Sequence, residues 1–426
     1  MKVRVKYQTT VLATFAALSW PQVTYANAVV DWNAIAINTI ATAPSRSGVG
    51  SPVLYLDMAV VQVAVYDAVQ AFNRKFKPYH AQTTGASGSP EAATAKAAHD
   101  VLVNLFPAQT AALDSTYREY LTKKGIDDND PGIKVGQTAA ADILALRAKD
   151  GRVPDPLPAA FNGDTATGVW RPTQSLQSAP PPSGSAMAAP WLGTVTPFTL
   201  ERGDQFRAKP PPTLTSEQYT KDYNEVKSLG GLTNSARTPE QTELAYFYAG
   251  NFFVLWHRAL REIVDQHTDN IGDSSRLLAL VNMAFADTVI TVWDGKRHYA
   301  YWRPITAIQE GENDGNPATA GDPSWQPFLN TPNYPEYTSG ANGATGALTG
   351  MLALYFGKDD MTFTVTSEHP KAEQKTRTYS RFSDMAKDMV DVRIYHGVHF
   401  RTADEQGREQ GRNVAKWVYG HAASAR

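Results

Sequence analysis

The stretch SSRLLALVNMAFADTVITVW, residues 274–293, reads as a helix with apolar surface over much of its circumference. Such a helix belongs in a protein core rather than on a solvated face. It leads directly into DGKRHYAYWRPITAI, residues 294–308, where the apolar pattern gives way to Lys296, Arg297, His298 and Arg303. Asp287 lies inside the apolar run. A buried carboxylate normally requires a partner, so Asp287 reads either as the orienting partner of a neighbouring Lys or Arg or as a solvated or capping group.

Outward from this helix, the period of the apolar residues is helical almost everywhere. Leu54–Phe72 is predicted as an apolar helix that embeds Asp57 and Asp67, and Glu91–Leu105 and Ala108–Lys123 as amphipathic helices, with Gly132–Lys149 continuing the pattern. Pro239–Gln266 reads as one long helix opened by a Thr238 N-cap. Ser339–Phe356 and Ala403–Tyr419 complete the set, and one hairpin is expected, Thr362–Thr366 against Thr376–Phe382. Between Gly151 and Pro212 the chain turns rich in Pro, Gly, Ser and Ala, with Pro180-Pro181-Pro182 and Pro210-Pro211-Pro212. Long loops of this kind are usually functional or disordered. Trp170 and Trp191 look like anchors that lay this one over the surface. A second such loop runs from Gly311 to Tyr334. The expected architecture is all-α, two associated helical bundles: an N-terminal bundle over 29–150, the connection over 151–212 and a C-terminal bundle over 213–426.

Residues 1–28 have the features of a secretory signal peptide: a basic start at Lys2, Arg4 and Lys6, an apolar run from Val11 to Leu18, and Ala26-Asn27-Ala28 as a cleavage site, with a cut at Ala26 as the alternative. The expected localisation is secreted or periplasmic. The apolar run is too short to span a membrane stably, and no membrane span is expected elsewhere. Removing the leader takes the formal net charge from −2 to −5. A mildly acidic chain without basic runs argues against a nucleic-acid partner. The chain has 0 Cys, which excludes disulfides, thiolate nucleophiles and Cys-ligated zinc.

Three segments of the C-terminal part supply what a tetrahedral oxyanion needs. They are the one holding Lys296 and Arg303, then YPEYTSGAN (334–342), then RIYHGVHF (393–400). Guanidinium groups bind such an anion through paired N–H bonds, and an ammonium adds a point charge. Ser339-Gly340 open a predicted helix, whose first N–H groups and dipole favour an anion, and glycine permits close approach to the backbone. A neutral histidine nitrogen can take the apical position, attacking phosphorus or ligating a metal. Each residue alone has an ordinary alternative: a solvated helix end for Lys296 and Arg303, a simple N-cap for Ser339, a core histidine for His399. His396 and His399 sit at helical spacing but lack a third ligand in a zinc-type frame.

In order and spacing these segments resemble the superfamily that joins vanadium-dependent haloperoxidases to type 2 phosphatidic acid phosphatases and bacterial acid phosphatases. Lys296 and Arg303 match its K-x6-R-P, Ser339-Gly340 the middle of P-S-G-H, and Arg393 and His399 its R-x5-H. The longer context looks more like the haloperoxidase branch. The resemblance implies an acid phosphatase/vanadium haloperoxidase-like fold, with vanadate (or phosphate) bound by Lys296, Arg303, Ser339, Gly340 and Arg393, and His399 on the metal. It further implies hydrogen peroxide and a halide or small organic molecule as the partners in turnover, with Lys296 polarising the peroxide. Trp293 and Tyr334 fall where that family often carries aromatic residues beside the halide path.

One position departs from the pattern. The family's second motif ends in an acid–base histidine; here that position is Ala341, and Thr338 replaces the family proline. Alanine exchanges no proton, and acid–base groups typically contribute roughly 10²–10⁴-fold in rate. His396, one helical turn before His399, is the candidate substitute. Three functions are therefore open at this stage: a vanadate-dependent peroxidase, a phosphomonoesterase with His399 as nucleophile, and a non-catalytic phosphate or vanadate binder.

Overall fold

The computed structural model describes residues 27–43, 52–81, 83, 85–173 and 186–426. Residues 1–26 of the expected leader and Pro180–Pro182 lie outside them. Five helices come first: α1 (Ala28–Thr42), α2 (Val53–Asn73), α3 (Pro90–Leu105), α4 (Thr110–Lys124) and α5 (Pro131–Arg147). Side-chain caps explain several of the starts. Asn27 accepts from Val29 and Val30 at the head of α1, Ser89 from Ala92 at α3, and Asp130 from Gly132 at α5. Asn27 and Ala28 are thus the cap and first turn of a core helix. A cut after Ala26 leaves that cap intact, whereas a cut after Ala28 removes it.

The second half carries α6 (Glu217–Leu229), α7 (Pro239–Phe247), α8 (Phe252–His267), α9 (Ile271–Tyr299), α10 (Pro304–Gln309), α11 (Gly340–Phe356), α12 (Phe382–Tyr395) and α13 (Arg401–His421). Two strands, β1 (Asp360–Thr366) and β2 (Thr376–Arg381), pair antiparallel with Phe363 opposite Tyr379. The architecture is all-α apart from this hairpin. The single helix expected over Pro239–Gln266 is two. Thr238 and Gln241 form a full capping box at the start of α7, but the chain breaks after Tyr248, and Asn251 caps α8 by accepting from Phe253. Gly250-Asn251 is a breaker followed by a cap, and this local chemistry overrides the continuing apolar period. Phe382, expected to end the second strand, instead opens α12.

Helix α9 is the axis of the molecule. It packs against α2 of the N-terminal group and against α11 and α13 of the C-terminal group. One continuous hydrophobic core runs from Ala28 in α1 through α2 and α9 to Val418 in α13. Helices α2 and α9 are long and apolar enough to cross a membrane, yet 89% and 94% of their apolar windows are buried inside the protein.

The crossing of α11 and α13 sets the position of the site. A Cβ on Gly411 would lie 2.0 Å from the Gly343 carbonyl, one on Gly346 2.1 Å from that of Arg408, and one on Gly407 2.4 Å from that of Ser339. Only glycine allows the two backbones to approach this closely. The contact holds Ser339, the first residue of the anion-binding turn, against α13.

The proline-rich connection is pinned along the C-terminal half of α9. Asp287 accepts from the backbone N–H groups of Phe198 (2.6 Å), Thr199 (2.8 Å) and Leu200 (3.2 Å). It therefore anchors this loop rather than pairing with a pocket Lys or Arg. Trp170, 1% exposed, stacks on Phe161, and its backbone N–H donates to the Ala300 carbonyl. The Trp293 indole donates to Ala188 at 2.9 Å, and the Ala188 N–H donates to Asn333 at 3.0 Å. The loop thus reaches the aromatic edge of the site.

Candidate active site

Lys296 and Arg303 stand at the two ends of the turn that links α9 to α10. Ala300, at φ 45°, ends α9 in the left-handed region, and Arg303 is the N-cap residue of α10. Both side chains are fully buried. The Lys296 ammonium donates to the carbonyls of Pro335 (2.7 Å) and Glu336 (3.0 Å). That uses two of its three donors. Arg303 donates through Nε to the Tyr334 carbonyl (2.9 Å) and through Nη1 to that of Val398 (2.7 Å). Its Nη2 is buried without a partner among the described residues. The first motif is thereby tied to the backbone of the second and third.

In the second motif, Ser339 caps α11, and its backbone N–H donates to Ala403 at 3.1 Å. Gly340 and Ala341 are only half-buried, so the first turn of α11 is the more open side of the site. The rings of Trp293 and Tyr334 pack 4.9 Å apart. The Tyr334 ring lies 5.0 Å from Lys296 Nζ and 4.9 Å from Arg303 Cζ. An aromatic wall therefore flanks the two cations.

The third motif spans the end of α12 and the turn after it. Gly397, at φ 77°, reverses the chain so that Arg393 and His399 face the same region; its N–H donates to Ile394, and that of Val398 donates to Arg393. Arg393 Nη1 donates to Nδ1 of His396 at 3.0 Å, while its Nε has no partner among the described residues. His396 Nε2 lies 2.8 Å from the Ala245 carbonyl. A carbonyl only accepts, so this nitrogen carries the proton, and both ring nitrogens are engaged. His399 is 1% exposed, its Nε2 is 3.2 Å from Arg303 Nη1, and its Nδ1 is 3.0 Å from Glu336 Oε1.

The structure thus brings Lys296, Arg303, Ser339, Gly340, Arg393 and His399 to one end of α11. His396 lies behind Arg393. Two residues to which the sequence gave no role, Glu336 and Asp404, hold the site together. Glu336 accepts from His399 and from the Phe400 N–H (2.9 Å). Asp404 accepts from the Asn342 amide (2.8 Å) and from the Ser339 hydroxyl. The available signal was thin: a lone carboxylate between Pro335 and Tyr337, and the first of the pair Asp404-Glu405 after Ala403.

The electrostatics are those of a site short of negative charge. Burial pushes Lys296 well below the ordinary lysine range, and the nearby Arg303 adds to the shift. Burial lowers Arg303 to about 10 and also depresses Arg393. His399 is held well below 6.5 by burial and then by the charges of Arg303 and Lys296. Glu336 is raised to about 7 by burial, against the pull of Arg303. Asp404 is pushed well above the carboxylate range, again by burial first. Three buried cations crowd one another, and a bound anion would offset both their repulsion and their desolvation.

Fold and site together define a class: an all-helical protein with a cationic oxyanion pocket at the N-terminus of a core helix. Residues 276–426 match the family model described as the VCPO second helical-bundle domain. The chain is 26% identical over 201 residues to the vanadium chloroperoxidase of Curvularia inaequalis, a match that covers 39% of this chain and 32% of that protein, so it spans about a third of the relative's length. Its structure resembles that of the first bacterial vanadium-dependent iodoperoxidase at TM-score 0.76 and 24% identity, over 94% of this chain and 97% of that one. It also resembles an apo-type bacterial vanadium-dependent chloroperoxidase at TM-score 0.68 and 18% identity, over 89% and 96%. The chain therefore has the fold of the vanadium haloperoxidases, and its C-terminal bundle resembles theirs in sequence.

Proposed function

We propose that this protein is a vanadate-dependent haloperoxidase-like enzyme that oxidises a halide, or a related nucleophile, with hydrogen peroxide. The supporting observation is the donor set. Arg303 Nη2 and Arg393 Nε are buried donors with no partner among the described residues, Lys296 has one N–H beyond its two carbonyl bonds, and α11 directs its first N–H groups at the same place. These groups fit the oxygens of a vanadate, which His399 would help to hold through Nε2. When bound, the metal would serve as a Lewis acid toward peroxide. The chain's own residues do the rest. Lys296 stays aimed by two carbonyls, Arg303 by two more, and Arg393 by His396, while Trp293 and Tyr334 exclude water from one side.

Orthophosphate has the same shape, and the alternative is a phosphomonoesterase with His399 as nucleophile. That reading fits less well, because an alkoxide leaving group needs a proton and Ala341 has none to give. On the same view the chain is exported, its leader cut after Ala26 so that Asn27 still caps α1. The division into bundles over 29–150 and 213–426, joined by 151–212, belongs to this proposal as well.

The test is peroxide-dependent oxidation of iodide or bromide by protein loaded with orthovanadate, beside a His399→Ala variant and beside aryl phosphate hydrolysis without vanadate. Oxidation that requires both vanadate and His399 is expected. Aryl phosphate hydrolysis dependent on His399, with no oxidation, overturns the assignment in favour of the phosphatase.

A further inference from the structure

Glu336 is a carboxylate in direct contact with two residues of the oxyanion pocket, His399 and Lys296. It is fully buried and sits on the loop between Pro335 and Ser339. Its Oε1 is 3.0 Å from His399 Nδ1 and accepts from the Phe400 N–H at 2.9 Å, so it is fixed by the residue that follows the histidine. Its own carbonyl accepts from Lys296 at 3.0 Å. One residue therefore grips both the ammonium and the imidazole.

The donor pattern sets the tautomer. Around the His399 ring, Nδ1 lies 3.0 Å from an acceptor, Glu336 Oε1, and Arg303 Nη1 lies 3.2 Å from Nε2 and 3.5 Å from Nδ1, so Nε2 is the nearer nitrogen to the guanidinium and the only one without a carboxylate. A guanidinium only donates. The arrangement satisfies both contacts in a single state: proton on Nδ1, lone pair on Nε2. Exchanging the tautomer would place an imidazole N–H against a guanidinium N–H and a lone pair against the carboxyl oxygen. Both clashes would fall on a ring that is 1% exposed, where an unpaired polar group is costly.

We propose that Glu336 is a positioning residue that holds His399 in the Nδ1–H tautomer and so presents the Nε2 lone pair to the oxyanion's central atom. Its tautomer part stands by itself; its consequence for vanadate rests on the function proposed above. Carboxylate partners of this kind orient metal-ligating histidines, and their loss typically weakens metal affinity about 10–100-fold.

The experiment has two readouts. The first is ¹⁵N NMR of the imidazole nitrogens in protein without vanadate. Wild type should show protonated Nδ1 and unprotonated Nε2 at His399, Glu336→Gln should keep this state because its amide oxygen still accepts, and Glu336→Ala should show a mixture. The second is the affinity for orthovanadate and for inorganic phosphate, each by calorimetric titration. Glu336→Ala should lose at least 10-fold toward orthovanadate and less than 3-fold toward phosphate, which needs the cationic cradle but no nitrogen ligand. Glu336→Gln should recover most of that loss. A wild-type His399 with its proton on Nε2, or doubly protonated, overturns the proposal even if the alanine variant does not fold. So do equal losses for the two anions in Glu336→Ala. A wild type that binds phosphate but no orthovanadate sinks the haloperoxidase reading, while the tautomer result still decides the role of Glu336.

Discussion

Nδ1 of His396 lies 3.0 Å from Nη1 of Arg393, and its other nitrogen lies 2.8 Å from the Ala245 carbonyl. The ring is wedged between the carbonyl of Ala245, in the last turn of α7, and the guanidinium it holds. The sequence suggested His396 as a stand-in for the missing acid–base group. Its geometry instead suits a residue that aims Arg393, since neither nitrogen is free to exchange a proton with a bound ligand. His396→Ala should therefore weaken binding of phosphate or orthovanadate about 10-fold, the lower end of what orienting partners contribute. His396→Gln should stay near wild type, because an amide can accept from Arg393 and donate to Ala245 at once. Titration calorimetry on the two variants distinguishes this from a relay, in which both would bind normally and lose only turnover.

Ala341 sits half-buried in the first turn of α11, beside the cap residue Ser339. A larger side chain here can extend over the open side of the pocket without displacing core. Ala341→His should raise the rate of bromide or iodide oxidation by about 10-fold or more if proton transfer limits turnover. The wild type, lacking that group, should favour iodide and bromide over chloride. Halide-dependent peroxide consumption measures both. Normal vanadate binding with no gain in rate would show that proton transfer is not the limiting step.

Much of this site was legible because its cations are spaced by local structure. Lys296 and Arg303 bracket one turn, and Arg393 and His399 bracket the reversal at Gly397. That the two pairs share one pocket was an expectation of the family resemblance, not of any local pattern. Glu336 and Asp404 were not legible, since a carboxylate among polar neighbours does not say what it faces. Helix α12 was legible but not read: Phe382, Met385, Ala386, Met389 and Val390 are all buried and recur at helical spacing. In α6 the stripe is thin, with only Tyr219, Asp222, Tyr223 and Val226 buried, so periodicity gives little there. The destination of Asp287 depended on a loop far away in sequence, a contact that no local pattern encodes.

The α11–α13 crossing makes its own prediction. Gly407 packs against the Ser339 carbonyl so closely that an added Cβ would stand 2.4 Å from it, and that neighbour is backbone. Gly407→Ala must push α13 away from the anion-binding turn. Overpacking of this kind typically costs about 1–3 kcal/mol. Denaturant midpoints should drop accordingly, and phosphate affinity should fall with them because Ser339 moves. Gly420→Ala, on the same helix with nothing within 4 Å of its added Cβ, is the control and should be neutral or slightly stabilising. If both variants melt like wild type, the close approach is not what holds the turn.

The buried histidines fix the direction of the pH dependence. His396 is held well below 6.5 by burial first and by the charge of Arg393 next. In the unfolded chain it titrates near the ordinary value of about 6.5. On acidification the unfolded state therefore takes up this proton before the folded state does. The stability contribution is complete above about pH 6.5 and is lost as the pH falls toward the depressed folded value. His396→Gln keeps the hydrogen bonds and removes the titration. Between pH 6.5 and 5 the stability advantage of wild type over this variant should shrink by about 1.4 kcal/mol per pH unit, one proton's worth of linkage. Above pH 7 the difference should be flat. Other groups, including Glu336 with its raised value of about 7, titrate in both proteins and cancel in the comparison. Urea unfolding of the two proteins at half-unit steps from pH 8 to pH 5 measures it, and parallel stability curves throughout would mean that His396 titrates in the folded state as it does in the unfolded chain, which would contradict a ring held neutral against Arg393.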